Sequence, residues 1–159
     1  MSRSARVFLI KARVTDLAGE SRRNETKRVR ALSTRAVEKY DVILVCSALY
    51  ANDIRANLAS EWVGHDAIAT GLAEATAPLF RRGLLSGVLL TGGNMAAAFL
   101  RQIRAEELRL EREILPGIPL CRVVSGDVKG LKVATKAGGF GLKGSLTQIV
   151  HCLAYEAAP

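Results

Sequence analysis

Thr135-Lys136-Ala137-Gly138-Gly139-Phe140-Gly141, read together with Thr91-Gly92-Gly93-Asn94 upstream, decides the fold of this chain. Each glycine cluster follows a β-branched or aliphatic run, Val88-Leu89-Leu90 in one case and Leu131-Lys132-Val133-Ala134-Thr135 in the other. Each also precedes an apolar run of helical spacing, so both read as strand-to-helix turns. Glycine there lets the backbone take positive φ and approach a ligand, and the N–H groups and dipole of the following helix favour phosphate. Two such loops in one small chain point to a nucleotide site.

Working outward, strands and helices alternate. Val7 to Val14 reads as an edge strand, followed by a polar turn through Asp16 to Arg23. From Glu25, apolar Val29, Leu32, Ala36 and Tyr40 recur at three or four residues, giving a helix with one apolar and one basic face. Val42-Ile43-Leu44-Val45 has the continuous apolar character of a strand buried on both sides, ending at Cys46-Ser47. A short helix is expected over 52–60. Asp66 is the expected cap of a helix striped by Ile68, Leu72, Ala75 and Leu79, with Pro78 expected either to kink it or to mark its last turns. Asn94 is the expected cap of Met95 to Arg104, and Ser145 that of a final helix carrying Leu146, Ile149, Val150 and Leu153. Cys121 to Val124 and Leu131 to Thr135 flank Ser125-Gly126-Asp127, a hairpin composition. The pattern predicts an α/β fold of three layers: a mostly parallel sheet, helices on both faces and an antiparallel edge hairpin. Ligands of such sheets sit at the carboxyl ends of the strands, where Ser47, Gly92-Gly93 and Gly138-Gly139 all fall. One crevice is expected to collect all three.

The 159 residues are expected to form a single domain spanning 1–159. Half-apolar composition (49%) with 24% charged residues is that of a globular protein, and no apolar run reaches a membrane span, so the expected location is the cytoplasm. Cys46, Cys121 and Cys152 are widely spaced and read as structural thiols. With His65 and His151 equally isolated, no metal-ligating set is assigned. The net charge of +8 is concentrated: residues 1–39 hold eleven Lys or Arg against four Asp or Glu. Such a segment steers anions or faces an acidic partner. No aromatic residue interleaves with Arg22, Arg23, Lys27, Arg28 and Arg30, which disfavours a single-strand nucleic-acid platform.

Glu113-Ile114-Leu115-Pro116-Gly117-Ile118-Pro119 followed by Lys136-Ala137-Gly138-Gly139-Phe140-Gly141, with Thr91-Gly92-Gly93 upstream, resembles the C-terminal nucleotide-binding domain of the four-carbon acid sugar kinases, the DUF1537 family. The resemblance covers Leu85 to Leu146 most firmly. It implies ATP with Mg²⁺ as cofactors and transfer of the γ-phosphate to a sugar acid such as a tetronate. The site residues implied are Ser47, Gly92, Gly93, Asn94, Lys136, Gly138, Gly139, Phe140 and Gly141. Lys136 would reach a phosphate, and Phe140 would pack beneath its loop or beside the adenine, ordinary core packing being the alternative for the ring. Pro116-Gly117-Ile118-Pro119 would fix a loop, and Glu113 stands at the family's acidic position. The chain departs from the family at Asn94-Met95, where members carry an acidic residue and Thr, and at Gly144, where an Asp or Glu often stands. Catalytic residues are not assigned, because the family's substrate domain has no counterpart in the sequence. The chain is therefore expected to hold the donor, to require a substrate-domain partner or self-association, and to be inactive alone. A binding or regulatory module that senses a nucleotide or another anion is the competing expectation.

Overall fold

The computed structural model describes residues 5–50, 53 and 63–155, which leaves the helix expected over 52–60 outside the described residues, Asp53 aside. The chain forms two compact units, Met1–Leu79 and Phe80–Pro159. No described helix is long and apolar enough to cross a membrane.

The first unit is a βαβ arrangement followed by a long helix. Strand β1 (Val7–Lys11) leads through a short helix α1 (Val14–Ala18) and helix α2 (Arg22–Ala36) to β2 (Val42–Cys46). The strands pair in parallel, from Val7 opposite Val42 to Lys11 opposite Cys46. Side chains alternate across them: Phe8, Ile10, Ile43 and Val45 join a core with Leu17, Val29 and Ala75. On the other face Val7, Leu9 and Leu44 are exposed. Leu17, fully buried, explains why the expected polar turn is partly helical: its side chain anchors α1 in the core. Helix α3 (Val63–Arg81) adds Ile68 and Leu72 to that core. Asp66 lies inside its first turn rather than at a cap, and Pro78 is accommodated within its last turn.

The second unit contains β3 (Gly87–Thr91), α4 (Gly93–Gln102), β4 (Leu108–Leu115), β5 (Ile118–Val123), β6 (Lys132–Lys136) and α5 (Ser145–Tyr155). Its sheet runs β3-β6-β5-β4. β3 and β6 are parallel, whereas β6–β5 and β5–β4 are antiparallel. Leu89, Ala134, Leu120 and Ile118 pack with Ile149 and Leu153 of α5. Leu90, Val133 and Val123 point the other way and are equally buried, so both faces are covered, as the α/β class requires. Phe99 of α4 meets Phe80 edge-on, with ring centroids 5.1 Å apart.

The expected hairpin of Cys121–Val124 with Leu131–Thr135 is present as β5–β6. A second hairpin, β4–β5, was not anticipated, and with it two of the three pairings in this sheet are antiparallel. Pro116-Gly117 is its two-residue connection, with Gly117 at φ +74°. Two register shifts in β4 place a bulge beside Pro119, which cannot donate to the ladder.

Candidate nucleotide site

The parallel pairing of β3 with β6 decides where the glycine loops lie. Thr91 is the register partner of Lys136, so the two strands end side by side and both loops leave from the same edge. The Gly92 N–H donates to the Lys136 carbonyl at 2.9 Å and ties the loops together. Gly92 takes φ +95° and, rather than Asn94, is the N-cap of α4; Asn94 sits within the first turn. The N-cap glycine provides no side-chain cap and no acidic residue occupies the first turn, so the positive end of the helix dipole favours an anion there.

Gly93, Gly138 and Gly139 behave differently from Gly92. None has positive φ, and a Cβ built on any of them meets nothing within 4 Å. All three are exposed. Neither backbone strain nor crowding within the protein accounts for glycine at these three positions.

Lys136 differs from expectation. Its ammonium donates to the carbonyls of Ala137 at 2.9 Å, Gly138 at 3.0 Å and Phe140 at 2.8 Å. All three protons are thus directed into its own loop, which the side chain staples into shape. Phe140 is 57% exposed, and its ring lies against Gly117, so close that a Cβ there would stand 2.9 Å from a ring carbon. Glu113 accepts the Gly117 N–H at 3.4 Å. The Glu113–Pro119 segment and the Gly138 loop, about twenty residues apart in sequence, therefore meet at one place. Leu142 and Leu146, which follow in the chain, are also exposed. Ser145 is buried, and its hydroxyl accepts the Leu142 N–H at 2.8 Å. It braces the loop behind it, whereas the sequence suggested a forward cap on α5.

Ser47 belongs to the first unit. It lines a cavity of about 440 Å³ at the carboxyl ends of β1 and β2, with Lys11, Arg13, Thr15, Arg28 and Asp53. Lys11 bonds Asp53 at 2.5 Å, and the Leu49 and Tyr50 N–H groups donate to the other carboxylate oxygen. Lys11 first, then those backbone donors, holds the Asp53 carboxyl down at about 2. Beside it the buried Glu25 accepts from the Arg28 guanidinium at 2.6 and 2.7 Å and from the Arg13 N–H at 2.8 Å. The Arg28 bond, opposed by burial, keeps this carboxyl below its ordinary range. The sequence pattern alone does not show this Glu25 network, because a lone Glu opening a helix reads as solvated. Cys46 and Cys121 are thiols outside any disulfide, pushed up by burial, and Cys152 is a buried thiol likewise outside any disulfide.

The chain belongs to the family of nucleotide-binding C-terminal domains, whose model matches residues 2–146. It is similar to the D-threonate kinase of Bordetella bronchiseptica, 41% identical over 76 residues that make up 48% of this chain and 19% of that enzyme. The D-threonate kinase of Salmonella typhimurium is 34% identical over 80 residues, 50% of this chain and 19% of that enzyme. The chain thus matches about a fifth of the length of these kinases. In fold it resembles a DUF1537 protein of Bordetella bronchiseptica, solved with bound citrate as a domain-swapped dimer. That similarity has TM-score 0.71 and 26% identity, covering 98% of this chain and 36% of that one. A Haemophilus influenzae protein of the DUF1537 family shares the fold at TM-score 0.63 and 15% identity, covering 86% of this chain and 32% of that one.

Proposed function

We propose that this chain is the ATP-holding part of a kinase that phosphorylates a four-carbon acid sugar of the tetronate type in the cytoplasm. The observation that carries the reading is the set Gly93, Gly138 and Gly139, which occupy two loops leaving adjacent parallel strands and have no internal reason to be glycine. A surface kept free of Cβ atoms beside an uncapped helix start suits close backbone approach to phosphate. Gly92, Gly93 and Asn94 would hold one end of the nucleotide's phosphate chain, and Gly138, Gly139 and Gly141 the facing side. Lys136 would preserve the shape of the second loop, and exposed Phe140 offers a flat apolar surface for the base.

Mg²⁺ would arrive with the nucleotide. The first turn of α4 has no carboxylate, and Glu113 is engaged with the Gly117 turn, so the donors that fit the ion are phosphate oxygens and water. When bound, it supplies charge neutralisation between the phosphates. The sugar acid would be held by a substrate domain acting with this one. The exposed apolar face of Val7, Leu9 and Leu44 would seat a second copy of the chain, in keeping with the dimer of the Bordetella relative. Parallel sheets are normally covered on both faces.

Thermal melting with ATP, ADP and adenosine, with and without Mg²⁺, tests the reading, since a ligand bound only by the folded state raises its stability by mass action. Stabilisation by ATP and ADP is expected. No shift at millimolar nucleotide would contradict it.

A further inference from the structure

The basic residues of α2 belong to the first unit, and their side chains divide into separate groups. Arg28 turns to Glu25 and to the Lys11 carbonyl. Arg22 bonds the Glu74 carboxylate at 2.8 Å, and Arg30 the Glu74 carbonyl at 2.7 Å. Arg23 and Lys27, one helical turn apart and both exposed, have no hydrogen-bond or ion-pair partner among the described residues. Arg22, Arg23, Lys27 and Arg30 together line an open cavity of about 550 Å³ on the first unit. Glu20 and Glu74 are its only carboxylates among the described residues, so two of its four positive charges are left uncompensated.

Thr26 also lines this cavity, and it supplies the independent observation. It is 7% exposed, and its hydroxyl oxygen is buried without a partner. A threonine inside a helix ordinarily donates to the carbonyl four residues back. Thr34, Thr70 and Thr76 do so here, at 2.9, 2.6 and 2.8 Å. Thr26 does not. A buried hydroxyl left unbonded destabilises the fold, and a ligand oxygen at the cavity floor would relieve it.

We infer that this cavity, lined by residues of the first unit alone, binds a small phosphate-bearing anion. Its volume lies in the range of small-molecule sites. Arg23 to Arg30 covers about 10 Å of helix, the reach of one or two phosphate groups and too short for a track along a nucleic-acid backbone. Among the described residues no aromatic side chain lines it for a base to stack on. The guanidinium forks would grip the phosphate oxygens, Lys27 would act as a point charge, and Thr26 would donate from below.

The test is a calorimetric titration with inorganic pyrophosphate, with melting temperatures recorded alongside. The proteins compared are the parent, Arg23→Gln/Lys27→Gln, Thr26→Val, and Gly93→Val/Gly139→Val. Pyrophosphate should bind the parent and the glycine-loop variant alike, and bind Arg23→Gln/Lys27→Gln at least about tenfold more weakly. Thr26→Val should also lose about tenfold in affinity without melting lower, because it removes an unpaired hydroxyl. The proposal is overturned if the parent shows no binding at millimolar pyrophosphate, or if Arg23→Gln/Lys27→Gln binds like the parent. Loss of binding only in the glycine-loop variant would overturn it in favour of the nucleotide site. Tighter, steeply salt-dependent binding of an oligonucleotide would overturn it in favour of a nucleic-acid surface.

Discussion

Gly92 is glycine because its backbone requires it, while neither φ nor a neighbouring atom requires glycine at Gly93 or Gly139. The distinction separates two kinds of variant. Gly92→Val forces a branched residue to φ +95° and should lower stability by about 1–3 kcal/mol. Gly93→Val and Gly139→Val meet open space and keep ordinary φ, so their melting should stay close to that of the parent while nucleotide affinity falls. The glycine positions were legible in the sequence as loop punctuation; which of them the fold itself requires was not, since that depends on φ and on neighbours in space. Lys136 shows the same limit. Its place at a strand end suggested a phosphate contact, but its ammonium is bonded to three loop carbonyls. Lys136→Met should therefore weaken ATP and adenosine by similar factors through a loosened loop, which parallel titrations would show. A much larger loss for ATP would restore direct phosphate contact.

At the level of elements, the parallel pair β3–β6 could be read from its apolar runs, whereas β4 could not. Arg109, Glu111, Arg112 and Glu113 give β4 the look of a solvated charge cluster, because an edge strand exposes much of its surface and two bulges break its alternation. Its Glu111–Arg122 ion pair, at 2.5 Å, links β4 to β5, a contact invisible to helical or strand periodicity. The turn at Ser125-Gly126-Asp127 was legible, but not its second task. Ser125 accepts the N–H groups of Glu106 and Glu107, and the Asp127 N–H donates to Ile103, so the turn closes over the end of α4. A Cβ on Gly126 would lie 2.0 Å from the Arg104 carbonyl oxygen, at φ +90°. Gly126→Ala should cost about 2–4 kcal/mol by denaturant unfolding, far more than an ordinary surface substitution. In the first unit, Glu25 and Asp53 both have carboxyls lowered in the folded state, by Arg28 and Lys11 respectively. Their contribution is complete above about pH 4.5. It should be lost as pH falls, Asp53's part going between 3.8 and about 2. Glu25→Gln should flatten the acid limb of a stability-against-pH curve; an unchanged limb would remove Glu25 from this account.

For the whole molecule, the alternation of strands and helices was sufficient for the α/β class, because buried parallel strands and striped helices each announce themselves by period. Division into two units was hidden, since no Pro/Gly-rich linker marks the boundary and α3 runs through it at Leu79. The exposed apolar face of β1–β2 was likewise unreadable, as Val7, Leu9 and Leu44 look like any buried strand residues. If that face seats a second copy, Leu9→Glu/Leu44→Glu should shift the chain to monomer in sedimentation at concentrations where the parent associates. A parent that remains monomeric would contradict it. The central claim, that paired glycine loops receive a nucleotide, is tested most directly by calorimetric titration of ATP with Mg²⁺ into the parent and into Gly93→Val/Gly139→Val. The account predicts saturable binding to the parent and at least about tenfold weaker binding, roughly 1.4 kcal/mol, to a variant that melts normally. A parent that takes up no ATP at millimolar concentration, or a folded variant that binds it as tightly, would contradict the account.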